Sequence, residues 1–171
     1  ITAVGSGFEV AFQANTGHLW TVGTAANLDW GLGMAAGTSP AITAVGSGFE
    51  VAFQANTGHL WTVGTAANLD WGLGMAAGTS PAIASVSGGF GYEATFQANS
   101  GHLWTVGTAG NLDWGLGMAA GTSPAITGVG SAAGYEVTFQ ANSGHLWTVG
   151  AAGNLDWGLG MAAGTSPTIS R

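Results

Sequence analysis

One unit of about 41 residues occurs four times in this chain, and that repetition limits the fold more than any other feature. Residues 1–41 and 42–82 are identical, and residues 83–125 and 126–168 repeat the unit with two extra residues each. Ile169, Ser170 and Arg171 read as the opening of a fifth copy or as a chain end. The whole chain, residues 1–171, is therefore one repeat domain of four units. The extra residues fall in a glycine-rich segment, Gly5-Ser6-Gly7 in the first copy and Ser87-Gly88-Gly89-Phe90-Gly91 in the third, which marks a surface loop. Identity between the first two copies extends to residues with no evident task, as recent duplication or deliberate design would leave it, so invariance among copies is weak evidence of function.

Within a unit, Phe8, Val10 and Phe12 alternate with Glu9, Ala11 and Gln13, the period of a strand. Asn15-Thr16-Gly17 then supplies turn residues, and residues 18–22, His-Leu-Trp-Thr-Val, predict a second strand of a tight hairpin. A loop of two residues or of three fits equally, and the choice decides which face His18 joins. Two shorter strands are expected near residues 1–4 and 30–34, and the proline of Thr38-Ser39-Pro40 stiffens entry into the next copy. No segment carries a sustained helical pattern, which leaves about four short antiparallel strands per unit. Residues 30–49 lack any charge, but their Gly, Ser, Thr and Pro content and their recurrence exclude a membrane helix.

Charged side chains make up 5% of the chain, eight of them acidic and one, Arg171, basic, for a net charge of −7. A chain with one cation has no basic surface to neutralise phosphates, so nucleic acid is not an expected partner. Cysteine is absent, which removes disulfides and thiolate chemistry, and no signal peptide is visible. So low a charge suits sheets covered on both faces, and a unit of this length with four strands matches one blade of a propeller.

The order Pro-Ala-Ile, Glu-Val-Ala-Phe, Thr-Gly-His-Leu-Trp, Trp-Gly-Leu-Gly and Thr-Ser-Pro resembles the blades of tectonin-type and related bacterial and fungal propeller lectins, across all four copies. The chain departs from them in its Asn-Thr-Gly turn, in the tight spacing of Trp30-Gly31-Leu32-Gly33, and in having four copies where five to seven blades are usual in that group. The resemblance implies an all-β propeller, secreted, binding glycans without catalysis.

Each copy offers one Glu, one Asp, one His and two Trp. Glu9 with Asp29 could flank a glycosidic bond, but an enzyme rarely needs four identical sites, so no catalytic residue is assigned. Glu9, Glu50, Glu93 and Glu136 sit in apolar strands without basic partners, and are expected to be structural, held by N–H donors. The four histidines would suit a metal only if all pointed inward, which the spacing does not require, and no metal or cofactor is expected. Trp20 is expected to pack between blades. Trp30 follows Asn27-Leu28-Asp29, and a ring beside a carboxylate is what sugar sites use, so the first candidates are Asp29, Trp30, Asp70, Trp71, Asp113, Trp114, Asp156 and Trp157. Packing by Trp30 and turn capping by Asp29 explain the same residues. A second set lies on the hairpins: Gln13, Asn15 and His18, then Gln54, Asn56 and His59, Gln97, Asn99 and His102, and Gln140, Asn142 and His145.

The leading expectation is thus a lectin-like repeat protein with several weak, equivalent sugar sites. A ligand-free structural or designed scaffold and an accessory domain of a secreted hydrolase are the alternatives. An open row of four blades leaves two apolar faces uncovered, so either the four close into a ring or two chains join into one of eight.

Overall fold

The computed structural model describes residues 1–25, 27–130 and 134–171. Each copy folds into one four-stranded antiparallel meander, so the described residues are all-β apart from one 3-10 turn. The first sheet runs β1 (Thr2–Val4), β2 (Gly7–Gln13), β3 (His18–Gly23) and β4 (Leu28–Gly33). The second has β5 (Ala41–Val45), β6 (Gly48–Gln54), β7 (His59–Gly64) and β8 (Leu69–Gly74). The third has β9 (Ala82–Val86), β10 (Gly91–Gln97), β11 (His102–Gly107) and β12 (Leu112–Gly117), and the fourth β13 (Ala125–Gly128), β14 (Tyr135–Gln140), β15 (His145–Gly150) and β16 (Leu155–Gly160). The uncharged stretch 30–49 is the end of β4, a turn and β5, and no helix among the described residues is long and apolar enough to cross a membrane. The third copy's extra residues form the 3-10 turn Ser87–Gly89, whereas the fourth copy's counterpart includes residues 131–133, outside the described residues.

Local chemistry sets the register. The hairpin loop holds three residues, because Ala14 N–H donates to His18 O at 2.9 Å and Gly17 N–H to Ala14 O at 2.9 Å. Gly17 takes φ 83°, the left-handed position that closes such a loop. Phe12 then pairs with Trp20, Val10 with Val22 and Trp20 with Asp29. Beyond Asp29 the ladder shifts, so that two steps along β3 match four along β4, and His18 pairs with Gly33. This bulge accounts for the tight Trp30-Gly31-Leu32-Gly33 spacing, with Gly31 at φ 65°.

Apolar cores lie between sheets rather than within them. Val4, Leu19 and Met34 of the first sheet pack with Phe49, Val51, Phe53 and Val63 of the second, and Trp30 and Leu32 add to this cluster. The same arrangement joins second to third and third to fourth sheets. First strands of successive sheets lie side by side. Backbone bonds cross each seam: Asn56 N–H donates to Gly33 O at 2.9 Å and Ala35 N–H to Gln54 O at 2.9 Å, flanking an isolated bridge between Met34 and Ala55. Immediately before Pro40 and its copies runs a relay in which Ser39 N–H donates to Ser80 Oγ, Ser80 N–H to Ser123 Oγ and Ser123 N–H to Ser166 Oγ. Among the described residues no apolar cluster joins the fourth sheet to the first.

The Glu side chains are structural anchors, as expected from the absence of basic partners. Oε2 of Glu50 accepts the Ala66 N–H at 2.9 Å, and Glu9, Glu93 and Glu136 accept from Ala25, Ala109 and Ala152. Gly64 at φ 153° leaves room for this contact, since a β-carbon there would strike Phe49 O and come within 2.8 Å of Glu50 Oε2. Gly64→Ala is therefore expected to lower stability by about 1–3 kcal/mol, read from urea unfolding midpoints; an unchanged midpoint would contradict this packing.

Candidate functional site

The two faces of each sheet have different chemistry, and the hairpin loop length determines which side chain goes where. Phe53, Trp61 and Asp70 share one face of the second sheet, because they are direct cross-strand partners, and Phe53 and Trp61 pack toward the preceding sheet, as their counterparts Phe12, Trp20 and Asp29 share the corresponding face of the first. Trp30 and Leu32 share the other face with Leu19 and pack on the following sheet. Neighbouring residues Asp29 and Trp30 thus diverge, and the structure does not bring them together. Trp30 Nε1–H donates to Thr21 Oγ1 at 3.2 Å, and Trp71, Trp114 and Trp157 donate likewise to Thr62, Thr105 and Thr148.

Asp29 instead meets His18. Imidazole Nδ1 lies 3.2 Å from Asp29 Oδ1, and the pairs His59–Asp70, His102–Asp113 and His145–Asp156 repeat this at 3.1–3.2 Å. The two side chains are 40% and 39% exposed in the first copy, so a solute can reach them. Each carboxylate also accepts a backbone N–H two residues on, such as Gly115 to Asp113 Oδ1 at 2.8 Å. That backbone bond first, and the histidine second, hold all four aspartates below their ordinary value of 3.8. They remain anionic acceptors at neutral pH.

The other aromatic ring of each copy, assigned by sequence to packing alone, forms the wall beside this carboxylate. Trp104 and Asp113, with Asn99 and Ser100, face Leu73 and Gly74 of the preceding sheet around a cavity of about 220 Å³. Trp147, Asp156, Asn142 and Ser143 face Leu116 and Gly117 around one of about 190 Å³. At the first seam Leu32 packs with Phe53 and Trp61, and Asn56 lies against Gly33, the counterparts of part of this lining. The indole N–H groups of Trp61 and Trp147 are buried without a hydrogen-bond partner, and that of Trp61 faces Asp70 and adds slightly to the lowering of its carboxyl. A loop fixed at three would have placed Trp20 on the face of Phe12 by alternation, and the pairing of β3 with β4 then sets it opposite Asp29.

The hairpin candidates divide by role. Gln54 is buried and its Nε2 donates to Met75 O and Ala76 O at 3.3 Å, tying the hairpin to the end of its own sheet, and Gln13, Gln97 and Gln140 do the same. Asn56, Asn99 and Asn142 bond across the seam through their backbone N–H, and at the two cavities Asn99 and Asn142 line the opening. Asn15 has no preceding sheet to meet.

Two further cavities, of about 250 and 220 Å³, lie beside Trp30 and Trp114 and are lined mainly by apolar groups and backbone. A cavity of about 520 Å³ lies among the first strands near Thr43, Ser85, Thr127 and Arg171 and has no aromatic wall. The cavities beside Trp104 and Trp147 each join a ring, an anionic acceptor, an amide and a hydroxyl. No known protein-family profile matches the chain, and no curated protein matches it either.

Proposed function

We propose that the four sheets are blades of a β-propeller and that the protein is a non-catalytic, carbohydrate-binding repeat protein acting outside the cell, with one weak sugar site at each seam. The observation that carries this reading is the recurrence at the second and third seams of a Trp ring beside an ionised Asp, an Asn and a Ser. An indole face matches the apolar C–H face of a pyranose, while the carboxylate accepts and the amide donates to its hydroxyls. The resemblance of the strand motifs to tectonin-type lectin blades points the same way.

The size of these cavities sets the kind of ligand. At 190–220 Å³ they fall below the usual range for drug-sized sites, so each suits one terminal sugar rather than an extended chain. A ring stack and a few hydrogen bonds that replace bound water give weak single-site binding. Recurrence on one rigid body then raises the apparent affinity for a glycan-bearing surface by about 10²-fold or more, where spacing permits simultaneous engagement.

The test is a glycan-array and calorimetric screen of the protein beside a variant carrying Asp29→Asn, Asp70→Asn, Asp113→Asn and Asp156→Asn. Asparagine keeps the acceptor for the following backbone N–H and removes the charge. Surface binding is expected to fall by about 10²-fold while circular dichroism shows the fold retained, because avidity multiplies the loss at each site. Undiminished binding by the variant would move the site away from the Trp–Asp wall, and no binding by either protein would favour the scaffold reading.

A further inference from the structure

We infer that the exposed face of the first sheet is a docking surface for the last sheet of a second copy of this chain, head to tail, and that the union completes a further seam pocket. The first two copies make the case without any comparison between different sequences. Phe8 and Phe12 are 53% and 38% exposed, whereas Phe49 and Phe53, at identical positions of an identical unit, are 8% and 0% exposed. The second unit differs only in having a sheet before it. At the far end Trp157 and Leu159 are 51% and 61% exposed, whereas their counterparts Trp71, Leu73, Trp114 and Leu116 pack on the next sheet.

The backbone repeats the argument. Met34, Met75 and Met118 each bridge to an alanine of the following sheet, Ala55, Ala98 or Ala141. Among the described residues, Met161 at the end and Ala14 at the start make no such bridge. Gly160 O and Ala162 N–H at one end, with Asn15 N–H and Gln13 O at the other, are the same donors and acceptors that cross every internal seam. The end of one copy thus carries, side chain and backbone alike, half of an interface that the chain already forms three times. Two copies of the first face placed together could not reproduce these bonds, so the contact is heterologous.

Joining Leu159 and Gly160 of one copy to Asn15, Trp20 and Asp29 of the next builds the pocket that the first sheet lacks. This last consequence rests on the sugar-site reading; the association does not.

The experiment uses Phe12→Asp and Leu159→Asp, both at exposed positions, with circular dichroism confirming that each folds as the parent does. The parent is expected to sediment at a multiple of 16.8 kDa at micromolar concentration and above. Each variant alone should remain at 16.8 kDa, and an equimolar mixture should recover a two-chain species, since each retains the half that the other lost. A parent at 16.8 kDa up to millimolar concentration overturns the proposal, as does a mixture that stays monomeric while the parent associates. Calorimetry on the parent then reads sugar sites per chain, expected to exceed by one the number in the Phe12→Asp variant. Association without any sugar binding would keep the docking surface and dismiss the binding reading.

Discussion

Truncating Phe53 to alanine is expected to cost about 3–5 kcal/mol, whereas the same change at Phe12, inside an identical stretch of sequence, is expected to cost about 1 kcal/mol in the dilute chain. Phe53 is fully buried between the first and second sheets and its ring lies 6.5 Å from that of Trp61, so removing it leaves a cavity whose lining is held by both sheets. Phe12 is 38% exposed and has no sheet before it. Chemical unfolding of the two variants measures the difference directly. Equal losses would mean that the first sheet is covered as the second is. If copies associate head to tail, the Phe12→Ala loss should grow with protein concentration, since the partner's sheet then buries that ring.

Stability is also expected to fall as pH rises from about 4.5 to 7, opposite to the behaviour of a protein held by salt bridges. Burial raises Glu50 and Glu93 from the ordinary 4.5 to about 7, with the Ala66 and Ala109 N–H groups only partly offsetting it. Oε1 of each is buried without a partner, which is why the neutral acid is preferred. A raised carboxyl holds its proton in the folded chain after the unfolded chain has released it. Its stabilising contribution is therefore complete below about 4.5, declines between there and about 7, and is gone above. The gap corresponds to roughly 3 kcal/mol for each group at about 1.36 kcal/mol per pH unit, or a fall in melting temperature on the order of 20 °C for both together. At the acid end the opposite holds for Asp29, Asp70, Asp113 and Asp156, whose lowered carboxyls lose their contribution once pH drops below 3.8. Melting temperatures from pH 3 to 8 should thus peak near pH 4, between the loss of the aspartate contribution on the acid side and the decline of the glutamate contribution above about 4.5. Glu50→Gln with Glu93→Gln, neutral at every pH, should flatten the alkaline side; a double variant as pH-sensitive as the parent would place the effect elsewhere.

Much of the architecture was legible from the residues alone. Fourfold repetition, strict alternation at Phe8–Phe12 and the absence of helical periodicity lead to four antiparallel sheets, because a strand that buries one side chain in two can be read without knowing its partner. Isolated acidic residues in apolar strands with no basic partner imply backbone N–H donors, and Ala25, Ala66, Ala109 and Ala152 supply them. The pairing of Asp29 with His18 was not legible. It depends on the pairing of β3 with β4, which sets Trp20 opposite Asp29, and on the bulge that sets His18 opposite Gly33, while the face these share with Phe12 depends on a three-residue loop, and Asn-Thr-Gly is compatible with either loop length. A slip of one residue reverses the face of every side chain, so the sequence named Trp30 as the ring beside the carboxylate where the fold presents Trp20.

Composition, repeat and alternation were by themselves sufficient to determine the all-β class, the number of sheets and the structural role of the glutamates, since these follow from properties local to one unit. Tertiary structure alone decided which ring faces which carboxylate and which copies are buried. Residues 1–41 and 42–82 are the same peptide, yet Phe12 meets water and Phe53 does not. Burial is a relation between a face and whatever stands opposite it, and no residue encodes its own neighbour.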